Sequence, residues 1–237
     1  HMVPTMELLH SIVGGEDKWR ARPFVSNSNC FVVPPLRFAT ESCLVMETAV
    51  HAGMPVLLLS AGQAGATAPA SIAGAVAQAL AEVIAGLIYV NAMKPGYPCI
   101  CGTWPFVSDL RTGAMSGGSG EQGLLTAACA QMLQYYDLPG GAAAGMADSK
   151  MPDAQSGYEK GSTLAIAGLS GLNMVYEAAG MHASLLGFCL ESLIIDNDML
   201  GQCMRCVRGV EVNDTALDIQ VIKDVCMGGP GHYLGHN

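Results

Sequence analysis

Apolar positions follow two alternating patterns: short continuous runs bounded by turn residues, and longer stretches with apolar residues three and four apart. Asn27 to Val33 reads as a strand, and Thr40 is placed to cap a helix through Val45, Met46 and Ala49 that Gly53 ends. Met54 to Ser60 is a short continuous apolar run, the mark of a strand buried on both faces. A long small-residue helix is predicted over Ser71 to Asn91, then a strand over Tyr97 to Gly102. The helix predicted over Gln122 to Tyr136 puts Leu125, Ala128, Met132 and Tyr135 on one face. Ala142 to Ala147 reads as an alanine-rich strand, Gly157 to Ala179 as a helix and His182 to Leu190 as a strand. Two further helices are predicted over Asp198 to Arg208 and Val212 to Cys226.

Strands alternating with helices imply parallel pairing, helices outside and right-handed crossovers. A doubly wound sheet satisfies that pattern too. A barrel is favoured because polar residues recur after successive strands: Ser60 and Gln63, Thr103 and Asp109, Asp148 and Lys150, then Glu191. In a barrel these loops share one mouth, at the carboxyl ends of the strands. Five strands are predicted where a barrel has eight, and "GPGHYLGHN" carries no closing helix. The expectation is therefore an α/β fold of the (β/α)8 TIM-barrel type, present as a truncated fragment: residues 1–2 an expression scar, 3–237 a single partial barrel domain. An open barrel edge would leave strands unpaired and favour a homo-oligomer.

Composition narrows the function classes. The chain is 51% hydrophobic and 13% charged, which suits large buried surfaces. A net charge of −9, with 11 scattered Lys and Arg, argues against nucleic acid. Nine cysteines, an odd number, argue for reduced and mostly buried thiols in a cytoplasmic protein. Ala70 to Met93 and Leu164 to Ile195 are apolar enough to raise a membrane reading. Gln78 and Glu82 interrupt the first, and Asn173, Glu177, His182 and Glu191 the second, so no membrane span is expected.

Gly118, Gly120 and Gly123 match G-x-G-x-x-G. A dinucleotide loop needs a strand immediately before it, and Trp104, Pro105, Asp109 and Arg111 intervene, so no nucleotide is expected. The glycines are better explained by a backbone bend at the barrel mouth that starts a helix, with Glu121 favourable in its first turn. Cys203 and Cys206, like Cys99 and Cys101, lack a second pair at zinc-ribbon spacing; zinc-assisted methyl transfer to a thiol is the chemistry they would serve. His232 and His236 are four apart in a glycine-flanked loop, with no third ligand evident, so no metal is expected. Trp104 and Phe106 follow a strand directly and suit either a site or packing. Asp109 with Arg111 suits a loop-shaping ion pair or a catalytic part, and Asp148 with Lys150 a structural pair. Glu191, closing an apolar run, reads as the better acidic candidate, since a carboxylate at a buried strand end must meet a partner.

"PGYPCICGTWPFVSDLRTGAMSGGSGEQ", "GMADSKMPDAQSGYEKG" and "GGPGHYLGHN" are long, unusual strings. Together they resemble the trimethylamine methyltransferase family, barrel enzymes that pass a methyl group from a methylated amine to a corrinoid protein. The similarity runs from about Phe24 to Asn237. Members of methanogens carry pyrrolysine; no pyrrolysine is seen here, which places the chain with the branch acting on quaternary amines such as glycine betaine, proline betaine or carnitine. The resemblance implies methyl transfer to the Co(I) of a cognate corrinoid protein, in methanogenesis or acetogenesis. It makes Glu191 and Asp109 candidate catalytic residues. Trp104, Phe106, Tyr158, Arg111, His232, Tyr233 and His236 become candidates for binding the amine, aromatic faces for the cation and hydrogen-bond donors for a carboxylate. Gly117, Gly118, Gly120 and Gln122 would form a loop facing the corrinoid (cobalamin). Two other readings stay open: a betaine-binding protein without catalysis, and a barrel lyase or aldolase using Lys150 or Lys94 as a Schiff-base amine.

Overall fold

Five strands hydrogen-bond side by side in the order in which they occur along the chain, every neighbouring pair parallel. They are β1 (Asn27–Asn29), β2 (Val56–Ser60), β3 (Cys99–Thr103), β4 (Gly140–Ala143) and β5 (Met174–Tyr176). The computed structural model describes residues 2–234. Helices α1 (Met2–Val13) and α2 (Glu16–Ala21) precede the sheet, and each crossover carries one more: α3 (Thr40–His51), α4 (Ile72–Met93), α5 (Gly120–Tyr135) and α6 (Ala154–Leu169). Helix α7 (Leu190–Val207) follows β5. A doubly wound sheet reverses its strand order at a switch point. This one advances a strand at a time without reversal, so the doubly wound alternative does not hold, and the α/β class does.

Both faces of the sheet are covered, which is why β2 is a continuous apolar run. Val56 and Leu58 pack with Phe31, Met46 and Val83 under the helices, whereas Leu57 and Leu59 pack with Trp104, Phe106, Ala142 and Met146 on the opposite face. Burying such a side chain stabilises by roughly 1.5–3 kcal/mol, so the alternation commits the strand to two cores. Helix α4 is long and apolar enough to cross a membrane by length and composition. Here its Ala75, Ala79, Val83 and Val90 lie in the core, and its buried Glu82 accepts hydrogen bonds from Leu36 N (2.8 Å), Gln78 Nε2 (3.1 Å) and Ser60 Oγ (2.5 Å).

Four predicted strands match the sheet, and several details are corrected. Ala39, not Thr40, holds the cap position of α3, without a side-chain bond. The predicted stop is right: Gly53, at φ 81°, donates to Val50 O and Met54 to Ala49 O, the paired bonds of a left-handed helix end. On α5 the buried face is Gln122, Leu125, Thr126, Cys129 and Leu133, and Tyr135 is 78% exposed. The fifth strand is β5, which the sequence placed inside a helix. Gly171, at φ 77°, turns the chain out of α6, and three strand residues are too few to display alternation. His182 to Leu190 is instead a small hairpin, Met181–His182 antiparallel to Gly187–Phe188, leading into α7. Of the nine cysteines, all free, only Cys101 and Cys129 are fully buried, which corrects the expectation of mostly buried thiols. Burial pushes the Cys101 thiol up to about 11 and that of Cys129 to about 12.

Among the described residues, 2–207 form one compact unit and 208–234 a second. In place of one helix over Val212 to Cys226 it has α8 (Asp214–Leu217) and α9 (Ile219–Cys226), separated at Asp218, whose φ is 49°. The Asn213 side chain accepts from Ala216 N at 2.7 Å and starts α8.

Candidate functional site

At the carboxyl ends of β3 and β4 the chain builds a cavity of about 760 Å³. Beyond β3, Phe106–Ser108 pairs antiparallel with Met115–Ser116, and the loop between them projects Asp109 and Arg111 into the wall. Ser108, Thr112, Ser116, Glu121, Asp148, Lys150 and Ser184 complete its polar lining. A neighbouring cavity of about 500 Å³ shares Met115, Asp148, Lys150 and Ser184 and adds Leu185 and Leu186. The first volume falls within the range of small-molecule sites, roughly 300–1,000 Å³.

Asp148, just past β4, is the hub of the wall. Its carboxylate accepts from Ser116 Oγ at 2.5 Å, from Gly117 N at 2.7 Å and from the Ser184 hydroxyl. Ser184 stands in an unusual backbone: Ala183, Ser184 and Leu185 have φ of 49°, 50° and 77°, three consecutive left-handed residues without a glycine. Each such residue costs roughly 1–2 kcal/mol, and strain of this kind concentrates at functional sites. Backbone bonds hold the turn against the end of β4, from Ala183 N to Ser149 O (2.9 Å) and from Ser184 N to Ala147 O (3.0 Å).

Across the cavity Asp109 accepts from Arg111 N at 2.9 Å and Arg111 Nε at 3.3 Å. The Arg111 backbone N–H first, and its side chain second, hold the Asp109 carboxyl below the usual carboxylate range. The guanidinium is 90% exposed, so the loop fixes its position while leaving donors open to a ligand. Behind the wall, buried Glu159 accepts from Asp148 N (2.8 Å), Ser149 N (3.3 Å) and Gln155 Nε2 (2.8 Å). Asp153 caps α6 with a reciprocal bond to Ser156.

The structure brings Asp109 and Arg111 together in the cavity; within the first unit Trp104, Phe106, Tyr158, Gln122 and Glu191 do not line it. Trp104 and Phe106 are buried, 8% and 3% exposed, in the inner apolar cluster that also contacts Met115 and Leu185. They underlie the cavity. Trp104 meets Tyr176 at 5.0 Å between ring centres, and its Nε1 has no hydrogen-bond partner among the described residues. Tyr158 is 65% exposed on α6 and does not line the cavity. Glu191 is not at a buried strand end: it is exposed in the first turn of α7, accepting from Cys189 Sγ at 3.1 Å, because the strand predicted before it is a hairpin. In the glycine-rich loop Gly117 donates to Asp148, and Gly120 has open space around it. At Gly118 a Cβ would lie 2.8 Å from Glu159 Cβ, so close approach to α6 requires glycine there. Gln122 is 1% exposed and donates to Pro105 O at 2.8 Å, so it pins the loop after β3 rather than facing outward. His232 and Tyr233 belong to the second unit, where Tyr233 Oη lies 3.6 Å from Cys226 Sγ. His236 lies outside the described residues. Lys94 follows α4, at the opposite end of the sheet from the cavity, under the Tyr97 ring at 5.0 Å. Among the described residues no group of three or more His, Cys, Asp or Glu is arranged to hold a metal.

The sequence reading took Asp148 and Lys150 as a structural pair and did not single out Ser116 or Ser184, which line the same cavity. The position of Asp148 after a strand was a usable signal. Ser184 gave none, since left-handed turns ordinarily announce themselves through glycine.

A parallel sheet wound in one direction, with a mixed-charge cleft at the carboxyl ends of its strands, defines an α/β protein of the small-molecule-binding or enzyme type. The sequence profile of trimethylamine methyltransferase (MTTB) matches residues 3–237. The chain belongs to the trimethylamine methyltransferase family. It is 33% identical over 231 residues to the glycine betaine methyltransferase of Desulfitobacterium hafniense strain Y51, covering 97% of this chain and 47% of that protein. It is 32% identical over 232 residues to the trimethylamine methyltransferase MttB of D. hafniense strain DCB-2, covering 98% and 46%. With MttB of Methanosarcina barkeri strain Fusaro the identity is 34% over 215 residues, covering 91% and 43%. The chain thus spans about half the length of the curated relatives it matches.

Proposed function

We propose that this chain forms part of a (β/α)8 barrel enzyme, a single partial barrel domain over residues 3–237, that transfers a methyl group from a quaternary amine carrying a carboxylate, glycine betaine or similar, to a corrinoid protein. The observation that carries the reading is the gathering of carboxylates and cations around one cavity: Asp109, Glu121 and Asp148 with Arg111 and Lys150. A quaternary ammonium has no N–H to donate, so carboxylates and aromatic faces are the means of holding it. Arg111 and Lys150 suit the carboxylate at the other end. The sequential parallel order of β1 to β5 supports the barrel, and a relative named for glycine betaine supports the substrate class. The trimethylamine enzymes are equally similar, so it is the two cations that favour a betaine.

The corrinoid, when its carrier protein docks, supplies a Co(I) nucleophile for the methyl carbon. The 760 Å³ cavity has room for a betaine, and a corrin ring would be presented at its mouth by a partner. Residues of this chain orient the N–CH3 bond toward that mouth and exclude water. The electron pair of the broken C–N bond stays on nitrogen, which leaves as a neutral tertiary amine. No general acid is required. A cytoplasmic location is proposed with this reading, supported by the packing of α4 into the core.

The test is the visible spectrum of Co(I) cobalamin under anaerobic conditions, with the protein and glycine betaine, proline betaine, carnitine or trimethylamine in turn. Conversion to the methylated form with a betaine and not with trimethylamine is the expected result. Conversion with trimethylamine alone, or with none of the four, overturns it.

A further inference from the structure

Behind the cavity wall lies a buried polar cluster that the methyl transfer itself does not use. His182 is 2% exposed, and its Nδ1 lies 3.2 Å from Ser149 O. A carbonyl only accepts, so Nδ1 carries the proton. Its Nε2 faces Ser192 Oγ at 2.5 Å and Lys160 Nζ at 3.4 Å. An ammonium has only donors and a serine hydroxyl donates equally well, so Nε2 is the bare acceptor. Lys160 is fixed in turn by Asp196, 2.6 Å from its Nζ, and the same carboxylate oxygen accepts from Gly180 N at 2.7 Å. The chain of bonds therefore runs from α7 through α6 to the hairpin and ends on the segment just past β4.

That segment decides the geometry of the wall. Ser149 O accepts from both His182 Nδ1 and Ala183 N, and Ala147 O accepts from Ser184 N. Asp148 sits between these two anchors, and Ala183 to Leu185 are the left-handed residues. We infer that His182 is a positioning residue: its neutral imidazole, protonated on Nδ1, ties the left-handed turn to the end of β4 and so fixes where Asp148 and Ser184 meet in the cavity. The inference rests on the substrate reading above only for what the wall binds.

The experiment is ¹⁵N-edited NMR of the intact chain, without ligand and then titrated with glycine betaine. Wild-type His182 is expected to show a neutral ring with the proton on Nδ1. His182→Asn keeps an N–H near the place of Nδ1; it should leave the amide shifts of 147–149 and 183–185 close to wild type and hold betaine affinity within about threefold. His182→Phe fills the space without a donor; it should move both amide sets together and weaken betaine binding by about tenfold or more, as displaced site groups do. A ring protonated on Nε2 or on both nitrogens overturns the inference, and so does a His182→Phe protein that shifts neither segment or only one. If His182→Phe does not fold, the wild-type ring and His182→Asn still decide. A wild type that shows the stated ring and coupled shifts but binds no betaine refutes the substrate reading and leaves the positioning role standing.

Discussion

Lys160→Met isolates the energetics of the buried cluster. The Lys160 side chain is 1% exposed and that of Asp196 5%, so neither charge is solvated, and methionine matches the lysine stem while removing the ammonium. Asp196 is then left with Gly180 N as its remaining hydrogen-bond donor, at 2.7 Å. Breaking one side of such a pair costs about 3–5 kcal/mol, because the surviving charge stays buried without its counterion. Against a total stability of roughly 5–15 kcal/mol that is a large fraction. At about 2–4 °C per kcal/mol for a domain of this size, the midpoint falls by roughly 6–20 °C. Asp196→Leu should cost as much, since it leaves the ammonium beside His182 and orphans Gly180 N. The double variant removes both charges and should cost clearly less than the sum, with an unpaired amide worth about 1–3 kcal/mol remaining. The assay is urea unfolding of the two single variants and the double variant, with Glu16→Gln, at the exposed Arg20 ion pair, as a control that moves the midpoint little. Single costs below about 1 kcal/mol, or costs that add within about 0.5 kcal/mol, would refute the picture of a coupled buried pair.

Three further outcomes are expected. Arg111→Ala should weaken glycine betaine binding by about tenfold or more, the worth of a charged hydrogen bond, and leave trimethylamine binding unchanged; calorimetric titration with both amines checks it, and equal losses would remove Arg111 as the carboxylate partner. Gly118→Ala sets a Cβ 2.8 Å from Cβ and Cδ of Glu159, a side chain held by the Asp148 and Ser149 amides, so unfolding should show a loss of about 1–3 kcal/mol. Asp153→Ala removes the α6 cap, whose carboxyl is held below the usual range first by Ser156 N and next by the Ser149 hydroxyl. A depressed carboxyl stabilises above its unfolded value, near 3.9, and loses that contribution as pH falls through the folded value. The midpoint gap between wild type and variant should thus be constant from about pH 7 to 5 and shrink below about 4; a gap that persists in acid would mean the charge contributes nothing.

How much of this was legible in the sequence follows from what each element depends on. β2 was readable because burial on both faces leaves only apolar residues, and the end of α3 because Gly53 is the residue that a left-handed stop selects. β5 was not: Met174, Val175 and Tyr176 are apolar whether the chain is helix or strand, and what decides is the parallel pairing of these three with Gly141, Ala142 and Ala143. The mistake propagated. Treating His182 to Leu190 as a strand put Glu191 at a buried strand end, whereas the hairpin turns it outward at the start of α7. Trp104 and Phe106 were rightly placed after a strand, but sequence position does not say which way a loop side chain turns, and both turn into the inner core.

The residues that frame the cavity share a reason for their obscurity. Asp148 takes its meaning from Ser116, Gly117 and Ser184, which are 32, 31 and 36 positions away, so no local window contains its partners. Ala183, Ser184 and Leu185 contradict the local rule that positive φ calls for glycine, and the turn is held because Ser149 and Ala147 accept the amides of Ala183 and Ser184. Lys160 and Asp196 would be expected at the surface by type, and with His182 they are tolerated inside as a set. A sequence agrees with itself across levels where it specifies the fold, and departs from local preference where tertiary bonds have been made to hold something else in place. In this chain the departures converge on the carboxyl end of β4. The same convergence is what makes His182, rather than any residue lining the cavity, the most informative position to change: it bonds the Ser149 anchor of the strained turn and directly precedes that turn, without being available to a ligand.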